Sequence, residues 1–304
     1  MKKVILLAGP TASGKSDLAI FLAKKIDGEI INADSMQVFK EIKILSARPN
    51  KYNGIKHHLY GFLTVKKNFS TGEWLRLVEK KVTQIIRKKK TPIIVGGTGL
   101  YFKSLLSGLA KIPSITQTQR QKISSLYNKI GNKEFYKKLV KLDPKCKNKI
   151  SFNDKQRMIR FYEVKFYTKK SIFLWQKETQ HNLKNYYFIK IFLNLPRPFL
   201  LNKINKRFKQ MMDNGALKEA QKFNNLGIRS QLTANNILGL KELVSHLNGK
   251  TSIDYAFERS IIRTRQYIKR QMTWFRGQMK GWKDFNDPKK SDLRKKVLNF
   301  IRTT

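Results

Sequence analysis

Hydrophobic positions in this chain fall into two kinds of segment. Short unbroken apolar runs at 4–8 (Val-Ile-Leu-Leu-Ala), 29–33 (Glu-Ile-Ile-Asn-Ala) and 92–95 (Pro-Ile-Ile-Val) read as buried strands of a parallel sheet. Amphipathic stretches lie between them, at 17–25 and at 74–88, the second with Leu75, Leu77, Val78, Val82, Ile85 and Ile86 at helical spacing. Residues 39–63 show neither period and read as irregular. From about 111 to 185 the strand-like runs stop; the segment is rich in Lys, Gln and Asn with helical periodicity, so it reads as a helical lobe inserted into the α/β core. The run 186–195 looks like a strand returning to the sheet, so the lobe is an excursion rather than a tail. The remainder reads as helical: 198–225 interrupted near Asn214-Gly215, 235–247 around Gly239, and 255–279. No internal repeat or long low-complexity linker divides the chain.

The first apolar run leads directly into Gly9-Pro10-Thr11-Ala12-Ser13-Gly14-Lys15-Ser16, and a helix follows. Strand and helix give the G-x-x-x-x-G-K-[ST] spacing its meaning. Gly9 and Gly14 let the backbone turn its amides inward, and the helix start adds the positive end of its dipole. Lys15 brings a mobile cation, and Ser16 offers a hydroxyl to a phosphate-bound Mg²⁺. Such a loop takes a di- or triphosphate, without saying whether a nucleotide carries it. The expected fold is therefore α/β, a P-loop NTPase-like parallel sheet with helices on both faces. Residues 1–110 and 186–304 form the core with its helical C-terminal region, and 111–185 form the all-helical lobe.

Residues just past a strand's carboxyl end line the ligand crevice of an open parallel sheet, which puts Asp34 beside whatever the loop holds. A carboxylate there can ligate Mg²⁺, accept a proton from an attacking group, or cap a helix. The third strand ends in Gly96-Gly97-Thr98-Gly99-Leu100-Tyr101, where an ATP-driven motor usually carries an acidic residue; the Thr98 hydroxyl can reach a phosphate or second substrate, or cap the next helix. His57 and His58, adjacent on an extended segment, point opposite ways, and a structural role fits them better than a metal. In the lobe, Asn153-Asp154 starts a helix on which Gln156, Arg160 and Glu163 share a face. On the last helix Arg265, Lys269, Thr273 and Arg276 align, as do Arg263, Gln266 and Arg270, beside Trp274 and Phe275. The basic side chains can track a phosphate backbone; the aromatics suit the core better than a stacked base.

Charge sharpens the picture. Lys and Arg number 64 against 20 Asp and Glu among 304 residues, a formal charge of +44, which favours a polyanionic partner and ranks nucleic acid above an acidic membrane surface. The single cysteine, Cys146, excludes an internal disulfide or a cysteine cluster for zinc and fits a reducing cytoplasm. A core strand opens the chain with no export signal before it, and no apolar run reaches the ~20 residues of a membrane span. The expectation is a soluble intracellular protein, by default a monomer.

Taken together, several stretches resemble the bacterial tRNA dimethylallyltransferases, also called tRNA isopentenyltransferases. They are Gly9 to Ser16 (GPTASGKS), Glu29 to Phe39 (EIINADSMQVF), His57 to Leu59, Pro92 to Tyr101 (PIIVGGTGLY), Asn153 to Val164 (NDKQRMIRFYEV), Pro196-Arg197, and Arg263 to Arg276 (RTRQYIKRQMTWFR), in the family's order. The resemblance implies transfer of a dimethylallyl group from dimethylallyl diphosphate to the N6 of the adenosine 3′ of the anticodon. It implies Asp34 as general base, Lys15 and Thr98 beside it, the 9–16 loop as diphosphate cradle, and Mg²⁺ held with the diphosphate through Ser16. To tRNA contact it assigns Asp34, Ser35, Met36, Gln37 and Thr98, then Arg120, Gln156, Arg157, Met158, Ile159 and Arg160, and the helix bearing Arg265, Lys269 and Arg270. A single-stranded anticodon loop whose adenine turns outward suits such a site.

Two stretches depart from the family pattern. I-G-T-A-K-P is here Ile44-Leu45-Ser46-Ala47-Arg48-Pro49, and the usual G-Y is Gly239-Leu240. Two other readings stand beside the resemblance: a small-molecule or nucleotide kinase in which Asp34 holds Mg²⁺, and a non-catalytic RNA-binding protein with an idle P-loop.

Overall fold

The computed structural model describes residues 2–49, 53–179, 183 and 185–304. They divide into two compact units, Met1–Leu106 with Leu183–Thr304, and Ser107–Asn182.

The first unit carries the sheet. Its elements in order are β1 (Lys2–Ala8), α1 (Lys15–Lys25), β2 (Gly28–Asn32), β3 (His57–His58), α2 (Thr71–Arg87), β4 (Thr91–Gly96) and α3 (Gly99–Ser107). Six strands, all parallel, lie in the order β3-β2-β4-β1-β5-β6, where β5 is Tyr186–Leu193 and β6 is Lys283–Phe285. The strand alternation of period 2 splits β1 between two cores. Val4, Leu6 and Ala8 face one layer with Ile31 and Ile94; Ile5 and Leu7 face the other with Ile30, Ile93 and Val95. The unbroken apolar runs in the sequence arise because both faces are covered.

The larger layer holds α2 and α3 together with α7 (Arg197–Asp213), α8 (Ala216–Asn225), α9 (Leu240–Leu247) and α10 (Ile253–Gln278). Leu18, Ala19, Leu22 and Ala23 of α1 cover the opposite face with Leu293, Val297 and Ile301 of α11 (Lys290–Thr303). The ends are chemically marked. Ser70 and Glu73 form a reciprocal capping box at the start of α2, and Ser252 caps α10.

The second unit is helical: α4 (Gln117–Leu142), α5 (Lys155–Thr168) and α6 (Ile172–Lys177). A φ of 76° at Gly131 breaks α4 in two. Ile123, Phe135, Leu139, Cys146, Ile150 and Met158 form this unit's own core. The end of the segment at 180–182 and 184 lies outside the described residues.

Two expectations need correction. The stretch 39–63 contains β3, and Phe39 bridges to Leu63, so it adds an edge to the sheet. His57 and His58 supply that edge: His58 Nε2 lies 2.6 Å from Glu29 Oε2, and His57 Nδ1 is 2.8 Å from the Ile55 carbonyl. The C-terminal region is not all helix, since β6 pairs with β5 over Ile191–Lys283, Phe192–Asp284 and Leu193–Phe285. Its single buried residue, Phe285, gives the sequence too little apolar run to announce a strand.

Candidate active site

The carboxyl ends of β1, β2 and β4 are adjacent in the sheet and carry the three loops that matter. After β1, the 9–16 loop turns through Ala12 at φ 66° and Gly14 at φ 82° into α1. A non-glycine residue in that left-handed region is strained, by about 1–3 kcal/mol, and such strain is kept where backbone amides must converge. Lys15 Nζ donates to the Pro10 carbonyl at 3.3 Å. Burial draws the Lys15 pKa down to about 8, opposed by the charge of Asp34 and assisted by that of Arg207. The Ser13 Oγ is buried and has no hydrogen-bond partner.

After β2, Asp34 does not cap a helix; its Oδ1 accepts the Met36 N–H at 3.0 Å, a local Asx turn. Asn32, fully buried, builds the turn from below: its Oδ1 accepts from Asp34 N–H at 2.9 Å and its Nδ2 donates to the Asp34 carbonyl at 2.9 Å and that of Leu59 at 3.0 Å. Thr98, after β4, also finds a partner other than its helix. Its Oγ1 accepts the Ser35 N–H at 3.0 Å and its own N–H donates to the Ala33 carbonyl at 3.2 Å. The two loops approach so closely that a Cβ on Gly96 would sit 2.0 Å from the Ala33 carbonyl oxygen. A Cβ on Gly99 would lie 2.1 Å from the Trp274 ring, so glycine is required at both places.

Two side chains that the sequence reading passed over enter this site. Arg207 of α7 interacts electrostatically with both Asp34 and Lys15; its own burial lowers its pKa, and the Asp34 charge offsets only part of that. Gln271 of α10 bonds to the 9–16 loop and to the turn after β4 at once. A signal for Gln271 was present: it interrupts the buried stripe Thr264, Ile268, Phe275 at helical spacing. Arg207 gave a weaker one, beside buried Ile204 and Phe208. Tyr267, one turn before Gln271, has its phenol pKa raised by burial and by Asp34.

Other predicted positions serve the fold as well. Gln37 is nearly buried, its Nε2 donating to the Ser46 and Ala47 carbonyls at 3.1 and 3.0 Å. Ser35 and Met36 stay half-exposed. Phe275 belongs to the core, and Trp274 packs half-buried over Gly99. Arg265, Lys269 and Arg270 are exposed along α10, with Arg265 Nη2 3.3 Å from Asn205 Oδ1.

In the second unit Asp154 caps α5 through the Arg157 N–H at 3.0 Å. Gln156 and Arg157 are exposed on its first turn, Ile159 is half-buried, and Met158 is wholly buried, with no side-chain surface for a partner. Arg160 Nη1 lies 3.5 Å from Glu163 Oε2, and Arg120 acts on both charges, so Arg120 is brought near Arg160.

Among the described residues no cluster of three or more His, Cys, Asp or Glu side chains can hold a metal ion. A hard cation arriving on a diphosphate needs only oxygen donors, and the Ser16 hydroxyl, at the start of α1, could be one of them.

The family model of the IPP transferases matches residues 37–278. The chain belongs to this family. The matched region begins after the 9–16 loop and Asp34. A tRNA dimethylallyltransferase of Pelagibacter ubique (strain HTCC1062) is 51% identical over 309 residues, 99% of this chain and 98% of the relative. One from Rickettsia massiliae (strain Mtu5) is 44% identical, covering 91% of this chain and 77% of its own. Among solved structures, a eukaryotic dimethylallyltransferase acting on tRNA superposes with a TM-score of 0.83 at 29% identity, over 100% of this chain and 80% of that one. The tRNA isopentenylpyrophosphate transferase of Bacillus halodurans gives 0.72 at 29% identity, over 100% and 96%. With an all-parallel sheet and the loop after β1, this IPP transferase has the P-loop NTPase-like fold.

Proposed function

We propose that this chain transfers the dimethylallyl group of dimethylallyl diphosphate to the N6 of the adenosine 3′ of the anticodon in tRNA. The observation that carries the reading is that the charge of Asp34 is felt by two cations, Lys15 of the 9–16 loop and Arg207 of α7. A diphosphate in the loop lies against the amides at the start of α1, with Lys15 and Arg207 taking up the charge that grows as the allylic C–O bond breaks. The adenine N6 attacks that carbon, the C–N bond forms, the N6 proton passes to the Asp34 carboxylate, and diphosphate leaves. Thr98, tied to Ser35, fixes the segment bearing that carboxylate. Ser16 is the group that would hold Mg²⁺ together with the diphosphate, and the ion when bound would supply charge neutralisation on the leaving group.

For tRNA the candidate contacts in the first unit are Ser35, Met36 and Gln37 with Arg265, Lys269 and Arg270. In the second they are Gln156, Arg157, Ile159, Arg160 and Arg120, whereas a contact at Met158 would have to use backbone. Among the described residues no helix is long and apolar enough to cross a membrane. We take the enzyme to act as a monomer in the cytoplasm, where its tRNA substrate resides.

The deciding experiment incubates the protein with Mg²⁺, dimethylallyl diphosphate and unmodified tRNA, then analyses anticodon-loop nucleosides by mass. Gain of one dimethylallyl group on that adenosine is the expected result. In a parallel incubation with radiolabelled ATP, label reaching an acceptor would support a kinase, and tRNA binding without any product would leave an RNA-binding protein.

A further inference from the structure

We infer that Gln271 is a positioning residue of this reaction, setting the distance between the diphosphate cradle and the carboxylate that receives the proton. The inference rests on the transferase reading above. Gln271 is 6% exposed. Its Oε1 accepts the Thr11 N–H at 3.0 Å, across 260 residues of sequence, and its Nε2 donates to the Gly97 carbonyl at 2.9 Å. One planar amide thus joins the loop after β1 to the turn after β4. That turn holds Thr98, which in turn holds Ser35 beside Asp34.

The fit has no slack. A Cβ on Gly97 would lie 2.5 Å from Gln271 Nε2 and 3.8 Å from Asp34 Oδ2, so the amide, the Gly97 backbone and the carboxylate succeed one another in close contact. The two partners demand an acceptor at one end and a donor at the other. Ionised glutamate lacks the donor, and methionine has no donor and only a weak sulfur acceptor. The arrangement also sorts the loop's amides: Pro10 has none, Thr11 gives its own to Gln271, and Ser13 donates to the Pro10 carbonyl at 3.3 Å. Gln271 therefore keeps the front half of the loop at a fixed height beside the amides at the start of α1.

A displacement of about 1 Å between reacting groups costs on the order of 10²-fold in rate. The test is Gln271→Met, which removes both bonds at similar volume. We expect binding of a tRNA anticodon stem-loop and of dimethylallyl diphosphate within about threefold of the unaltered protein, with kcat lower by about 10- to 100-fold. Hydrogen exchange at the Thr11 amide should be about tenfold faster. A purely structural contribution would lower the melting temperature and the active fraction while leaving kcat per active molecule unchanged. Full kcat, or an equally protected Thr11 amide, overturns the inference. Should Q271M not fold, Q271E keeps the acceptor for Thr11 and loses the donor to Gly97: protection retained with turnover lost supports the role, and full turnover overturns it. If the unaltered protein transfers no dimethylallyl group, the transferase reading fails, while the exchange contrast still decides whether the amide holds the loop.

Discussion

Asp34 and Lys15 carry opposite charges into one site, and each makes a separate prediction. Asp34→Asn keeps an acceptor for the Met36 N–H, so the Asx turn survives. Loss of a general base is typically worth about 10²–10⁴-fold, and we expect kcat to fall by that amount with stem-loop affinity kept, measured by single-turnover transfer and by filter binding. Lys15 makes the site sensitive to pH. With its pKa drawn down to about 8, the unliganded lysine passes from mostly charged at pH 7 to mostly neutral at pH 9, and a diphosphate binds the charged form. Affinity for dimethylallyl diphosphate should therefore weaken about tenfold between those values, read by calorimetry. The stability sign is opposite. The unfolded chain still holds this proton between about 8 and the ordinary 10.5, so Lys15 makes the unliganded fold more stable as pH rises through that window. Both residues were legible in the sequence because short motifs at strand ends announce them. Gln271 and Arg207 were not, because the local spacing marks them only as polar interruptions of a buried stripe and does not say which partners they reach across the fold.

Among elements, the strands and helices with a strict period were readable, and those with little apolar surface were not. β1, β2 and β4 stand out because they are buried on both faces, whereas β6 offers one buried residue. The loop 43–48, where the family pattern is broken, shows how an element can be held by something outside itself. Glu219 of α8 accepts the N–H groups of Lys43, Ile44 and Leu45 at 2.6, 2.8 and 2.8 Å, and Gln37 binds the carbonyls that follow. Leu45 and Leu240 both bury in the main core, and Leu45 Cδ2 would lie 3.5 Å from a Cβ on Gly239, so the two departures fall in one neighbourhood. Glu219→Ala should cost about 1–3 kcal/mol. The melting temperature should fall by about 2–4 °C for each of those, with faster exchange confined first to residues 43–45.

For the molecule as a whole, the charge of +44 dictates a salt response. A protein neutralising six to ten phosphates loses about 10³–10⁵-fold in nucleic-acid affinity between 50 and 200 mM salt, and stem-loop binding here should fall in that range. Arg265→Ala and Lys269→Ala should each flatten the slope of log affinity against log salt by about one, with little change in kcat at saturating RNA. Surface charge of this size was plain in the composition, but composition alone did not say which lysines face a ligand. Lys15 is pulled toward neutrality by burial, whereas Lys90 is held charged by its hydrogen bond to Asp27 at 2.8 Å.

The bond between Thr11 and Gln271 closes a circuit that begins in the first strand and ends in the penultimate helix. While the ribosome is still making this protein, the phosphate loop emerges early and waits for its brace until nearly all of the chain is out. An interrupted or prematurely released product therefore has the phosphate-loop motif without the amide that ties it to the turn after β4.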